Sequence, residues 1–157
     1  MGHGVKLTEI VEKMDLKNLT PKVELAGREV NVPDVNRPAL QLVGFFDHFD
    51  SNRVQIIGNV EYNYLKTLTE EVKTKVYHEL LEYKLPCVIF SKSLQPDEIF
   101  LDLAEQHDVP VFNTTNRTSA FTAELTRWLN VKLAPCISIH GVLVDVYGVG
   151  VLIMGES

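Results

Sequence analysis

Strand-like and helix-like patterns alternate along this chain, and the alternation predicts an α/β fold. The expected plan is an N-terminal domain over residues 5–131 with a mainly parallel sheet flanked by helices. The first β-strands of a second, incomplete domain follow over 132–157. Two observations carry the prediction. Short apolar runs such as Val54–Ile57 and Pro86–Phe90 are separated by amphipathic stretches long enough for crossovers, and crossovers of that length join parallel strands. From Ala134 onward the character changes: only Asp145 and Glu156 carry charge, and four of the chain's 9 glycines fall there.

The elements follow in order. Leu7, Ile10, Val11 and Met14 share one face at helical spacing and predict an opening helix. Lys22–Leu25 and Glu29–Val32 read as short strands, and Pro33 and Pro38 punctuate the loop after them. Ala39–Phe46 reads as a short helix. Arg53–Gly58 reads as a buried strand, because Val54, Ile56 and Ile57 are β-branched and glycine closes the run. Thr67 with Glu70 matches a capping box, with Val72, Val76, Leu80 and Tyr83 as the inner stripe of the helix it opens. Pro86–Phe90 is expected to be a central strand. Pro96 opens the next helix with Asp97 and Glu98 in its first turn, and Ile99, Phe100, Leu103 and Ala104 facing inward. Val109–Phe112 is a further strand. Phe121, Leu125, Trp128 and Leu129 mark one side of the last helix.

Composition bounds the function. At 157 residues, 45% apolar and 23% charged, the chain suits a globular protein with a core of its own. The formal net charge of −6 argues against nucleic acid as a partner, which requires clustered Lys and Arg. The tightest run, Lys73 and Lys75, is interleaved with Glu70, Glu71 and Glu79 and reads as a solvated helix face. No long uncharged span or signal peptide is evident, so no membrane is expected and the cytoplasm is the default address. Cys87 and Cys136 lie far apart in apolar runs and read as buried, reduced thiols.

The most informative stretch closes the chain. Val149–Met154 is an apolar strand that runs into Gly155, Glu156 and Ser157. These occupy the first three positions of a phosphate-binding loop of the form G-x-x-x-x-G-K-[ST], whose later glycine, lysine and hydroxyl residue are absent. Upstream come His140-Gly141, then Val142-Leu143-Val144-Asp145-Val146-Tyr147-Gly148, with Ile137–Ile139, Val142–Tyr147 and Val149–Met154 read as strands. This order and spacing closely resemble the entry to the catalytic domain of the bacterial HPr kinase/phosphorylase family. The resemblance extends through Gly44–Phe49, Arg53–Gly58 with Glu61, Pro86–Phe90, Val109–Val111 and the helix start at Thr118-Ser119. It takes in nearly the whole chain from about Leu7.

The resemblance implies part of a bifunctional enzyme. It would phosphorylate a serine of the phosphocarrier HPr with ATP or pyrophosphate and Mg²⁺, and dephosphorylate it by phosphorolysis. It would act as a homohexamer in the phosphotransferase system that governs carbon catabolite repression. His140 takes the place of the family's catalytic histidine, and Gly155, Glu156 and Ser157 would bind nucleotide. No metal ligand is assigned within this chain. Residues 5–131 would be a regulatory or assembly domain. The chain alone, lacking the loop's lysine, is expected to be inactive and to bind no ATP. Two alternatives stand beside this reading: a non-catalytic regulatory or assembly module of that enzyme, and an unrelated α/β ligand-binding domain.

Other residues read more plainly. On residue chemistry alone, a lone histidine such as His140 is more often a packed core residue than a catalyst. Asp145 and Tyr147 read as the polar or paired face of a strand. Phe45, Phe46 and Phe49 around Asp47, His48 and Asp50 read as an anchored loop with a turn at Asp50–Asn52. His3, His78 and His107 receive no role, and Glu61 reads as an ordinary first-turn helix residue. Asn113–Asn116 before Arg117 leaves two readings open, an anion received at a helix start or simple capping.

Overall fold

The structure, a computed structural model, describes residues 4–134. The chain runs β1 (Val5–Lys6), α1 (Leu7–Lys13), β2 (Lys17–Asn18), β3 (Glu29–Val30), β4 (Val35–Asn36), α2 (Ala39–Leu42) and β5 (Val54–Ile57). It continues through α3 (Asn59–Lys66), α4 (Glu70–Leu81), β6 (Val88–Phe90), α5 (Glu98–Gln106), β7 (Val111–Asn113) and α6 (Thr118–Leu133). The central sheet has the order β2-β7-β6-β5-β4. β4 to β7 are parallel, and only β2 is antiparallel, with Lys17 opposite Asn113. β1 and β3 form a separate antiparallel pair.

Alternation along β5 and β6 divides the core into two layers. Ile56, Ile89 and Phe112 face α1 and α6 and pack with Ile10, Phe121, Leu125 and Leu129. Ile57, Val88, Phe90 and Val111 face the other way, onto Leu65, Leu80, Leu81 and Phe100 of α3, α4 and α5. Both faces are thus covered, as parallel strands without a polar face require. Each fully buried large side chain contributes roughly 1.5–3 kcal/mol. Gln55, in mid-strand, is fully buried and its amide is satisfied: Nε2 donates to Arg53 O at 2.9 Å, and Oε1 accepts from Asn36 Nδ2 at 2.7 Å.

Several local expectations need correcting. Lys22–Leu25 is irregular chain rather than strand, while Lys17–Asn18, too short to show a pattern, forms the sheet edge. α2 ends at Leu42, short of the expected Phe46. α4 is capped by Thr69, whose hydroxyl accepts from Val72 N at 3.3 Å, and Thr67 instead closes α3, so the expected box at Thr67 and Glu70 does not form. The buried stripe of α4 is Tyr77, Leu80 and Leu81, leaving Val72 and Tyr83 45% and 43% exposed. α5 is capped by Asp97, with Pro96 just outside the helix.

Candidate functional site

Three parallel strands end side by side, at Gly58 after β5, Ser91 after β6 and Thr114 after β7. α3 leaves β5 toward one face of the sheet and α6 leaves β7 toward the other. The divergence opens a crevice at the carboxyl ends of the strands, the place where open α/β sheets hold ligands.

The rear wall of the crevice is tightly fitted. A Cβ on Gly58 would lie 2.6 Å from Thr118 Oγ1 and 2.9 Å from Arg37 Nη2, so glycine is required there by close approach rather than by its backbone angles. Thr118 Oγ1 shares a hydrogen bond with Ser91 Oγ, tying the α6 start to the end of β6. Glu61, in the first turn of α3, is 4% exposed. Its Oε1 accepts from Gly58 N at 2.9 Å and from Arg37 Nη2 at 2.8 Å. A carboxylate here answers the free N–H groups and the positive end of α3. Glu61 is therefore a linchpin of the loop and not the ordinary helix residue its sequence position suggests.

The rim is built from two loops clipped together. Ser91–Leu94 makes a tight turn, with Leu94 N donating to Ser91 O at 3.0 Å and with Lys92 and Ser93 both left-handed at φ 56° and 58°. Lys92 N donates to Asn116 O at 2.8 Å and Ser93 N to Thr114 O at 2.7 Å. The backbone of Lys92 is thereby held beside Arg117. Arg117 is the N-cap of α6, and no side chain caps that helix. Asn113 Nδ2 donates to Leu94 O at 3.4 Å, and Asn116 N donates to Thr114 Oγ1 at 3.2 Å. Of the two readings of Asn113–Asn116, capping by these side chains is not what the structure contains. The crevice, a cavity of about 480 Å³, is lined among the described residues by three cationic side chains, Arg37, Lys92 and Arg117, and by no carboxylate.

A second, smaller cavity of about 120 Å³ lies among α3, α4 and the start of α5, lined by Tyr62, Leu65, Tyr77, Phe90 and Asp97 among others. Its polar groups satisfy one another. Tyr77 donates its hydroxyl to Asp97 Oδ2 at 2.9 Å, Lys73 Nζ approaches the same oxygen at 3.3 Å, and Asp97 Oδ1 accepts from Phe100 N at 2.9 Å. Burial first, and then the hydrogen bond to Asp97, push the Tyr77 phenol well above its ordinary pKa. Lys73 is thus held in an ion pair, where the charge pattern predicted a solvated face.

The site residues expected from the sequence, His140 and Gly155, Glu156 and Ser157, lie outside the described residues, as do Cys136, Asp145, Tyr147 and the three strands read after Ala134. Within the described residues the aromatic loop is anchored by Phe46 and Phe49, while Phe45, also expected to anchor it, is exposed. Phe46 and Phe49 pack on Tyr83 at 4.9 and 5.0 Å. His78 Nδ1 and His107 Nε2 lie 2.7 Å apart on an exposed surface. Cys87 is a free, fully buried thiol whose pKa burial pushes up to about 12. Arg37, Lys92 and Glu61 are the crevice residues that sequence reasoning missed. The only signal pointing toward it was the polar run before Arg117.

The fold defines an open α/β domain with a crevice at its strand ends. A solved structure with the same fold, the regulatory region of a Clostridium perfringens pyrophosphatase with CBS and DRTGG domains, aligns with a TM-score of 0.52 at 16% identity, covering 83% of this chain and 50% of that one. Residues 5–129 match the family described as HPr Serine kinase N terminus, and the chain belongs to the HPr kinase/phosphorylase family. It is similar to HPr kinase/phosphorylase of Lachnoclostridium phytofermentans, with 52% identity over 99% of this chain and 50% of the relative. The corresponding enzyme of Caldicellulosiruptor bescii is 42% identical over 95% of this chain and 48% of the relative. That of Clostridium tetani is 38% identical over 98% and 50%. The chain spans about half the length of the curated relatives it matches. Among the described residues, no helix is long and apolar enough to cross a membrane.

Proposed function

We propose that the chain supplies the N-terminal part of a cytoplasmic enzyme that phosphorylates a serine of HPr and removes the phosphoryl group by phosphorolysis, in the service of carbon catabolite repression. The observation that supports this most is the 52% identity to a relative of that name over 155 residues, a match that extends past the described domain. In this reading residues 132–157 begin the catalytic domain, Gly155, Glu156 and Ser157 begin its nucleotide loop, and His140 manages charge or a proton beside the transferred phosphoryl group. ATP or pyrophosphate with Mg²⁺ is the phosphoryl source, and the intact enzyme is a hexamer.

Residues 5–131 then act as a regulatory or assembly module. The buried reactive groups of the described domain support this, because they are engaged structurally. Glu61 is held by Arg37 and Gly58, and Cys87 is enclosed with its thiol held protonated. The test uses an enzyme of the relatives' full length with HPr as substrate. His140→Ala should abolish both phosphorylation and phosphorolysis while leaving circular dichroism unchanged; retention of either activity removes the assignment. Calorimetry of the 157-residue chain with ATP should show no micromolar binding, and micromolar affinity would contradict the placement of the nucleotide loop. Deleting residues 5–131 should lower the sedimenting mass below a hexamer if the module serves assembly.

A further inference from the structure

We propose that the crevice at the carboxyl ends of β5, β6 and β7 binds a small dianionic oxyanion, either inorganic phosphate or the phosphoryl group of a phosphomonoester. The inference stands on the crevice alone and does not depend on the kinase reading.

Three features carry it. The chain has a formal net charge of −6, yet this cavity of about 480 Å³ gathers Arg37, Lys92 and Arg117 and, among the described residues, no carboxylate. Like charges brought together repel, and a dianion is the simplest neutraliser. Glu61, a carboxylate behind Arg37, is buried and already accepts two hydrogen bonds. Arg37 gives it only Nη2, and its remaining guanidinium N–H donors stay available.

The cations are also placed rather than merely exposed. Lys92 sits in a left-handed turn whose backbone is clipped at 2.8 Å to Asn116, the neighbour of Arg117. Arg117 opens α6, and the hydroxyl-bearing Thr118 and Ser119 of its first turn line the same cavity. Guanidinium and ammonium groups would grip the oxyanion from the rim, with the hydroxyls beneath them.

The test is calorimetry of the 157-residue chain at low ionic strength, titrated in separate arms with inorganic phosphate and with glycerol 3-phosphate. Variants Lys92→Ala and Arg117→Ala are compared with Arg127→Ala, a control on α6 that lines a different cavity with Trp128. Saturable binding at about 1 mM or tighter in either arm is expected. It should weaken about tenfold in each crevice variant and stay unchanged in the control. The arm that binds identifies the source, free phosphate or phosphomonoester. The crevice variants alter exposed side chains, and a thermal melt without ligand confirms that they fold. No saturable binding in either arm overturns the proposal. So does binding that survives both crevice substitutions, or binding that weakens equally with Arg127→Ala.

Discussion

Two cavities of this domain, the one around Tyr77 and the strand-end crevice, both carry charged side chains and differ in how these are used. In the cavity around Tyr77 the polar groups engage one another: Asp97 caps α5, accepts the Tyr77 hydroxyl and pairs with Lys73, and Lys66 Nζ sits 5.1 Å from the centre of the Tyr62 ring. In the strand-end crevice only the rear wall is closed in this way, through Glu61, while Lys92 and Arg117 converge on open space. A buried polar network that is fully satisfied acts as part of the scaffold. Cations gathered without a counter-charge add nothing to folding, and their position needs a reason outside stability. The contrast separates structural from functional polar groups within a single domain.

The largest expected effect lies on the satisfied side. Asp97→Ala removes a helix cap worth about 1 kcal/mol and leaves the Tyr77 hydroxyl and Lys73 without their acceptor, so a loss of roughly 2–4 kcal/mol is expected. Lys92→Ala and Arg117→Ala should each fall within about 0.5 kcal/mol of the parent. Urea denaturation midpoints measure all three. If Arg117→Ala proves as costly as Asp97→Ala, the rim cations are structural and the contrast fails.

The next effect tests the rear wall. Gly58→Ala places a methyl against Thr118 Oγ1 and Arg37 Nη2. The arginine tip can swing away, but the short threonine cannot, and overpacking of this kind costs about 1–3 kcal/mol. Adding Thr118→Ala should recover part of the loss. No recovery would show that the tight contact is not what requires glycine there.

Much of the scaffold was legible in the sequence, and the reason is local. Val54–Ile57 and the Phe121, Leu125, Leu129 stripe carry their periodicity within a few residues, and both form the elements expected of them. The edge strand Lys17–Asn18 has two residues and no pattern to read; it is set by pairing with Asn113. The start of α4 differs from the expected one because Thr67 and Thr69 offer rival caps, and Thr67 is taken up as the C-cap of α3. The crevice was nearly illegible for a different reason. Arg37, Lys92 and Arg117 are separated in sequence and meet only once three strands lie in register, so charge counted along the chain found Lys73 and Lys75 instead. Glu61 looks like any first-turn carboxylate until Arg37 arrives from the β4–α2 connection.

Alkali sharpens the contrast by a smaller step. Cys87 has its pKa raised from 9.0 to about 12 by burial, and Tyr77 is raised as well. Both groups hold their protons in the folded state at pH values where the unfolded chain has lost them. Their contribution is therefore complete below about pH 9 and is lost as pH rises through the folded values. Stability should fall by on the order of 1 kcal/mol between pH 9 and 10, and Tyr77→Phe should flatten the loss above pH 10. A stability curve level to pH 11 would mean that neither group is as enclosed as its surroundings indicate.

The smallest effect concerns Lys92, which occupies the left-handed region at φ 56°. A residue with a Cβ is disfavoured there by roughly 1–2 kcal/mol, and glycine is not. Glycine in turn loses more chain entropy on folding, an offset of roughly 0.5–1 kcal/mol. Lys92→Gly should therefore stabilise the domain by up to about 1 kcal/mol, seen as a rise in melting temperature. The same substitution removes a rim cation and should weaken oxyanion binding as Lys92→Ala does. A variant that gains stability and loses affinity would show that lysine is kept in a strained turn for what it binds. A variant that loses stability would place the Lys92 side chain among the groups that hold the two loops together, and would move the rim to the structural side of the comparison.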